Sequence, residues 1–318
     1  MVQRVYRQIK MVDAEATVTI ATSKSQVSAI HNQLGEEVSV CVEPCRRDTF
    51  PAIALAAAYL KDVKHISEKE AVVVCPVDPY VDEDYFETVK ELARLAQQQE
   101  ANLVLMGIEP TYPSEKYGYV IPESKERVSK VSTFKEKPTA DVAKEYIAKG
   151  ALWNGGVFAF RLGYLIQKAH ELIDFTDYQD LFAKYEDLQK ISFDYAVGEK
   201  ESDISVLRFA GQWKDLGTWN TLTEEMKEQS IGDVTWDKTC ENSHAINVLG
   251  VPMVVMGAKN MVIVASHDGI LVADKHQSSY IKDCLENIPD ESRFEERRWG
   301  TIKTIDNNDE DGTHSVTK

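Results

Sequence analysis

The sequence predicts an α/β fold: a mostly parallel sheet with helices on both faces, followed by a small all-β unit. Three observations carry this. Short β-rich runs alternate with helical patterns through the first two thirds of the chain, the rhythm of strands joined by crossover helices. The stretch 117–134 breaks the alternation with Tyr/Gly/Val runs that suit antiparallel strands beside the main sheet. After about residue 230 long helical patterns stop, and short apolar runs are divided by Gly, Asn and Asp.

Taken in order, MVQRVYRQIK places Val2, Val5, Tyr6 and Ile9 on one helical stripe without a capping residue ahead of it. TVTIAT (17–22) reads as a buried strand, SQVSAIHNQLG as a helix stopped at Gly35, and VSVCVE (38–43) as the next strand. PAIALAAAYLKDV is an Ala-rich helix with Pro51 suited to its first turn. AVVVCPV (71–77) has the composition of a strand buried on both faces, and YFETVKELARLAQQQ follows as a helix. ANLVLMGI (101–108), GVFAFR (156–161) and ISVLRFA (204–210) are further strands, and ADVAKEYIAKG (140–150) and TWNTLTEEMKEQ (218–229) are helices. The whole is a Rossmann-like arrangement. Residues 1–230 are expected to form one domain, 231–290 a small β-rich unit built from INVLG, VPMVVMG, NMVIVAS and GILVAD, and 291–318 a polar, flexible tail.

Composition narrows the function classes. The chain has 318 residues, 43% hydrophobic and 28% charged, with a net charge of −16. No basic surface for nucleic acid is expected, although a local anion site can exist on an acidic protein. The five cysteines form no CxxC pair, which suits free thiols in a reducing cytoplasm. Cys41 and Cys75 lie in apolar runs, as core residues do. No apolar run reaches 18 residues, so no membrane-spanning helix is expected.

Ligands of a parallel α/β sheet bind at the carboxyl ends of the strands, and candidates stand there in series. Glu43, Asp48 and Thr49 fall in EPCRRDTFPAIA, ahead of a helix whose free N–H groups attract anions; plain helix capping explains Asp48 or Thr49 equally. Asp78 ends AVVVCPV, placed to reach a metal on a phosphate. The acids of Asp82-Glu83-Asp84 sit where a first helical turn takes them, and they are the weaker metal candidates. FKEKP holds Glu136 and Lys137, suited to sugar hydroxyls and a phosphate, or simply a surface charge cluster. WNGGVFAF offers Asn154 and Gly155 near a close backbone approach, or only a turn. WKDLGTW offers Asp215 as a second metal acid, or an Asx-turn that starts a helix. No Ser nucleophile elbow or HExxH is present.

Together RRDTFPAIALAAAYL, VVVCPVDPYV, YGYV, FKEKP, WNGGVFAF, FDYAVGEK and WKDLGTW resemble, in order, the mannose-1-phosphate guanylyltransferases, among the nucleotidyltransferases that make nucleotide sugars. The resemblance covers about residues 1–275, and its ordered set is specific although each piece alone is not. It implies transfer of a guanylyl group from GTP to mannose 1-phosphate, giving GDP-mannose and pyrophosphate, with Mg²⁺ as cofactor. It implies Asp78 and Asp215 as metal acids and Lys137 as the lysine that meets the sugar phosphate. Gly118, Tyr119, Glu136, Asn154 and Gly155 would lie about the sugar, and Glu43, Asp48 and Thr49 would face the base. A β-helix-like C-terminal unit, a cytoplasmic location and compatibility with a homodimer follow from the same resemblance, and RRWGTIKTID resembles the entry to a cupin-type domain carried by longer members. One departure stands out. The family opens with a strand and a Gly-rich GGxGxRLxPLS loop, and no GxGxR occurs here. On that ground the sheet is expected to lack its first strand, Met1 to be an internal methionine, and catalysis by this chain to be weak. The competing readings are another NTP:sugar-1-phosphate nucleotidyltransferase, a non-catalytic nucleotide-sugar-binding regulatory protein, and a glycosyltransferase using Asp82–Asp84.

Overall fold

The computed structural model describes residues 1–285, 294–297, 300–308 and 313–317. The first part of the chain carries α1 (Val2–Val12), β1 (Thr19–Ser23), α2 (Val27–Leu34), β2 (Ser39–Glu43), α3 (Thr49–Asp62), β3 (Ala71–Val74), β4 (Pro79–Val81) and α4 (Asp84–Gln97). It continues with β5 (Leu103–Ile108), β6 (Tyr119–Pro122), β7 (Val128–Lys135), α5 (Ala140–Ala148), β8 (Leu152–Arg161), α6 (Leu162–Leu172), α7 (Tyr178–Ala183), β9 (Ile204–Phe209) and β10 (Trp213–Asp215). By packing, the chain divides into two units: residues 1–77 with 81–213, and residues 78–80 with 214–318.

In the first unit a mixed six-stranded sheet has the order β3-β8-β5-β9-β7-β6, and a two-stranded sheet joins β1 to β2. β1 and β2 run parallel, as do β5 and β9. β8 lies antiparallel between β3 and β5, and β7 lies antiparallel to both β6 and β9. The antiparallel insertion expected at 117–134 is therefore present as β6 and β7. Side-chain alternation divides the core in two. Leu103 and Leu105 of β5 join Phe158 and Phe160 of β8 on the face covered by α3 and α6. Val104 and Met106 join Val157 and Ala159 on the face covered by α4. A period of two makes this unavoidable for strands buried on both sides. The stripe of α1 is used as its spacing predicts, with Val5 buried and Ile9 and Val12 packed against the α4 side.

Two local outcomes differ from the sequence reading. WNGG does not precede a strand but lies inside β8, where a register shift opposite Leu105 to Gly107 admits it. Gly156 there has φ +70, which a glycine takes without strain. The strand expected at 71–77 ends at Val74, and all four residues of β3 are only half-buried.

The second unit continues with α8 (Trp219–Glu225), β11 (Ser230–Ile231), β12 (Val234–Trp236), β13 (His244–Asn247), β14 (Met253–Val255), β15 (Met261–Ser266), β16 (Gly269–Asp274) and α9 (Ile281–Leu285). β11, β13 and β15 stack in parallel, β12 and β14 form a second parallel ladder, and β16 closes the stack antiparallel. This is a β-helix-like winding. Asn242 and Asn260, both at positive φ, occupy matching corners and share an amide hydrogen bond of 2.8 Å. Within 291–318, where a flexible tail was expected, the described residues form β17 (Phe294–Arg297), β18 (Gly300–Asn308) and β19 (Thr313–Thr317), one antiparallel sheet. Most of the cupin-entry stretch falls in β18, and Trp299 lies outside the described residues.

Candidate active site

In the first unit the end of β7 and the middle of β8 build a polar cluster. Asn154 and Glu136 are both buried, at 9% and 7% exposure. Asn154 donates from Nδ2 to Asp194 Oδ1 at 2.6 Å, and its Oδ1 accepts the Gly156 N–H at 3.1 Å, which fixes the amide's orientation. Its backbone N–H donates to the Gly118 carbonyl at 2.8 Å. A Cβ at Gly118 would run into the Glu136 carboxylate, which would have to shift to admit it. Lys137 Nζ stands 3.0 Å from Glu136 Oε1, on a backbone at φ +46. Glu199 braces the turn, accepting from the Glu136 N–H at 2.8 Å and from Lys135 Nζ at 3.0 Å.

The electrostatics follow from that crowding. Burial pushes the Glu136 carboxyl up, the Asp194 charge adds to it, and Lys137 opposes. Burial likewise raises Asp194, against its own backbone N–H, Asn154 and Lys137. Burial pulls the Lys137 ammonium down, but the hydrogen bond and charge of Glu136 outweigh it and leave a net rise. The product is a cluster of hydrogen-bond acceptors beside one partly exposed cation, suited to a hydroxyl-rich ligand that carries an anionic group.

The loop after β2 is tied to the same neighbourhood. Thr49 Oγ1 accepts the Phe193 N–H at 2.8 Å, and the charge of Asp48 acts on Asp194. Asp48 also caps α3 through the Thr49 N–H at 2.8 Å, so the capping alternative holds for it. Glu43 accepts from the Tyr185 hydroxyl at 2.9 Å, and burial with Glu43 beside it pushes the Cys41 thiol up to about 12. Tyr119 is placed in the core. It is fully buried, and its hydroxyl donates to the Ser114 carbonyl at 2.9 Å while accepting from Trp153 Nε1 at 3.0 Å. Gly155 backs onto the Met106 carbonyl, where a Cβ would sit at 3.1 Å.

In the second unit Asp78 and Asp215 come together. A Cβ at Gly217 would meet Asp215 Oδ1 at 2.8 Å and Asp78 Oδ2 at 3.4 Å, so both carboxylates border one small space. The Gly217 N–H donates to Asp215 Oδ1 at 2.6 Å, the Asx-turn the sequence allowed, while Thr218 rather than Asp215 caps α8. Burial raises the Asp78 carboxyl, and the negative charge of Asp215 raises it further. Two hard oxygen donors repelling each other fit a divalent cation that takes its remaining ligands from a substrate. No cluster of three or more His, Cys, Asp or Glu suited to a metal occurs among the described residues. Asp84 is a first-turn acid of α4, and Asp82 lies just ahead of its N-cap Glu83.

Sequence reasoning assigned no role to Asp194 or Glu199, although both lie in FDYAVGEK. The usable signal was an acid between aromatic residues, Phe193 and Tyr195, which local spacing alone cannot direct to Asn154. It also passed over Tyr117, whose ring packs between Trp153 and Trp213 at 4.9 and 5.4 Å.

A mannose-1-phosphate guanylyltransferase from Escherichia coli is 30% identical over 307 aligned residues, 85% of this chain and 65% of the relative. One from strain K12 is 29% identical, over 97% of this chain and 72% of the relative. The chain thus spans about 65% of the length of the first of these. A crystal structure described as mannose-1-phosphate geranyltransferase from Thermus thermophilus superposes with a TM-score of 0.69 at 24% identity, covering 90% of this chain and 88% of that one. No described helix is long and apolar enough to cross a membrane. The model of the Nucleotidyl transferase family matches residues 1–230, and the chain belongs to that family.

Proposed function

We propose that this protein transfers a guanylyl group from GTP to mannose 1-phosphate. The observation that carries the reading is Lys137 set against buried Glu136 and Asn154 and half-buried Asp194, one cation beside a group of hydroxyl acceptors. The names of the relatives supply the sugar and the base. In this reading an oxygen of the sugar phosphate attacks the α-phosphorus of GTP in line, the bond to the bridging oxygen breaks, and pyrophosphate leaves. Lys137 holds the sugar phosphate and withdraws negative charge from it. Glu136, Asn154 and the Gly118 backbone orient the sugar hydroxyls, Asp194 keeps the Asn154 amide turned the right way, and the Glu43 to Thr49 loop faces the base. Positioning of this kind supplies much of the rate of phosphoryl-type transfer. Asp78 and Asp215 are the residues that would hold Mg²⁺. Bound there, it would neutralise phosphate charge as a Lewis acid. Five free thiols fit a cytoplasmic setting.

The test is to incubate the chain with GTP, mannose 1-phosphate and Mg²⁺ and to follow pyrophosphate and GDP-mannose. Equal release of the two supports the reading. A thermal-shift panel of nucleotides and sugar phosphates separates it from the related ones, since a preferred ligand raises the melting temperature. A larger shift with another nucleotide or sugar overturns the specificity, and GDP-mannose binding with no turnover favours the regulatory alternative.

A further inference from the structure

Between Asp194 and Glu199, the two acids that brace the Glu136–Asn154 cluster, the chain winds as a π-turn over Asp194–Gly198. A hydrogen bond of 2.8 Å from the Glu199 N–H to the Asp194 carbonyl, five residues back, closes it. Such turns are rare, and they occur frequently at functional sites. In an α-helix of 3.6 residues per turn, residues five apart point about 140° away from each other. The wider winding takes one more residue into the turn and brings the fifth residue round towards the side of the first.

The two side chains reach neighbouring targets. Asp194 Oδ1 accepts from Asn154 Nδ2 at 2.6 Å, in the middle of β8. Glu199 Oε1 accepts from the Glu136 N–H at 2.8 Å and from Lys135 Nζ at 3.0 Å, at the end of β7. β7 and β8 do not pair with each other, although both pair with β6. The turn is therefore a second tie between them, independent of the sheet. It is anchored from behind. Ala196, Val197 and Gly198 are buried, and the Phe193 N–H donates to Thr49 Oγ1 at 2.8 Å. A Cβ on Gly198 would stand 3.1 Å from the Phe134 ring of β7. The residue most in need of support is Lys137, whose φ of +46 is one that a lysine seldom adopts.

We propose that this π-turn sets the spacing of the sugar-phosphate site: its additional residue turns Asp194 and Glu199 to one side, so that a single rigid element holds Asn154 of β8 against Glu136 and Lys137, and Glu199 is a positioning residue that acts on Lys137 through the Glu136 backbone. The inference rests on the reading of Lys137 as the group that holds the sugar phosphate. A turn of α-helical pitch would leave one of the two acids facing away from its target. The role requires the acceptor oxygen of Glu199 rather than its charge. Its ion pair is with the exposed Lys135, and exposed pairs contribute little.

Three variants of the full chain are compared with the parent. One lacks Tyr195, which removes a residue from the turn at an exposed position; the others are Glu199→Ala and Glu199→Gln, the last of which keeps an acceptor oxygen. Exchange of the Glu136 amide is followed by NMR without ligand, with the β5 amides as the measure of an intact fold, and steady-state kinetics give KM and kcat. The deletion and Glu199→Ala are expected to speed exchange at Glu136 about tenfold or more and to leave β5 unchanged. Both should raise the KM for mannose 1-phosphate about tenfold while kcat and the KM for GTP stay within about twofold, the mark of lost binding rather than lost chemistry. Glu199→Gln should match the parent. Adding Glu199→Ala to the deletion should change nothing more, because the carboxylate is already out of reach. The proposal is overturned if the deletion keeps slow exchange at Glu136 and the parent's KM, if Glu199→Gln is as damaging as Glu199→Ala, or if kcat falls while KM holds. Should the deletion open β5 to exchange, the two Glu199 variants decide by the same measures. If the exchange results hold but no form, parent included, binds mannose 1-phosphate, the substrate reading fails and the turn's hold on Glu136 and Lys137 stands.

Discussion

The Glu136–Asp194 cluster and the Asp78–Asp215 pair are both rich in carboxylates, but they are organised oppositely. In the first, each acid has a partner: Lys137 meets Glu136, and the Asn154 amide meets Asp194. In the second, two acids border one space, and the charge of one raises the carboxyl of the other. A cluster whose acids are each hydrogen-bonded to a cation or an amide is organised before its ligand arrives and can select a hydroxylated ligand that carries an anionic group. A pair of like charges is incomplete until a cation arrives. The difference predicts that damage to the first shows as lost sugar affinity and damage to the second as lost metal dependence.

The largest expected effect is on the metal side. Asp215→Ala should lower Mg²⁺-dependent product formation by roughly 10³-fold or more, the scale of removing a principal electrostatic stabiliser, as measured by Mg²⁺ titration of the rate. The pH dependence has a definite sign. The folded carboxyl of Asp78 is raised, so as pH falls it takes up a proton before an ordinary aspartate would, near about 3.9. Mg²⁺ affinity should therefore weaken already above that value, and Asp215→Asn, by removing the repelling charge, should move the Asp78 midpoint down.

Next comes Lys137→Met, expected to cost about 10²-fold in kcat/KM for the sugar phosphate, with Mg²⁺ affinity unchanged. Gly118→Ala is the sharper probe of preorganisation. Its Cβ forces Glu136 Oε2 to move inside a buried site, so the KM for mannose 1-phosphate should rise about tenfold while metal binding stays as it was. A loss of Mg²⁺ affinity in this variant would break the contrast.

The smallest effect is a control within the β-helix-like unit. Asp237 is held down at about 2 by hydrogen bonds from Thr239, Cys240 and the Gly257 N–H. A depressed carboxyl contributes stability above its unfolded pKa, and that contribution is lost as pH falls from about 4 to about 2. Asp237→Asn should lower the melting temperature at neutral pH and have little effect near pH 2, without altering sugar or metal binding.

Much of this was legible in the sequence because it is local. The continuous apolar runs LVLMGI and GVFAF match two-sided burial, and Pro51 and Gly35 punctuate helices where expected. Asp78 and Asp215 were singled out as acids after β-rich runs, although β3 ends at Val74 and Asp78 stands directly ahead of β4. The meeting of Asn154 with Asp194 was not, because it joins residues 40 apart through tertiary packing. The capture of WNGG inside β8 was missed for a related reason: a pair of glycines signals a turn locally, and only pairing with β5 shows that a register shift accommodates it. The half-exposure of β3 was also hidden, since composition reports what a strand is suited to, not which neighbours are beside it.

The most direct test of the contrast is calorimetric titration of GDP-mannose into the protein with and without Mg²⁺, repeated on Asp215→Ala and Gly118→Ala. The account predicts that Mg²⁺ strengthens binding in the parent and in Gly118→Ala, whose affinity is lower overall, and that Asp215→Ala loses the Mg²⁺ dependence. Equal affinity with and without Mg²⁺ in the parent, or an Asp215→Ala variant that still responds to Mg²⁺, would contradict it.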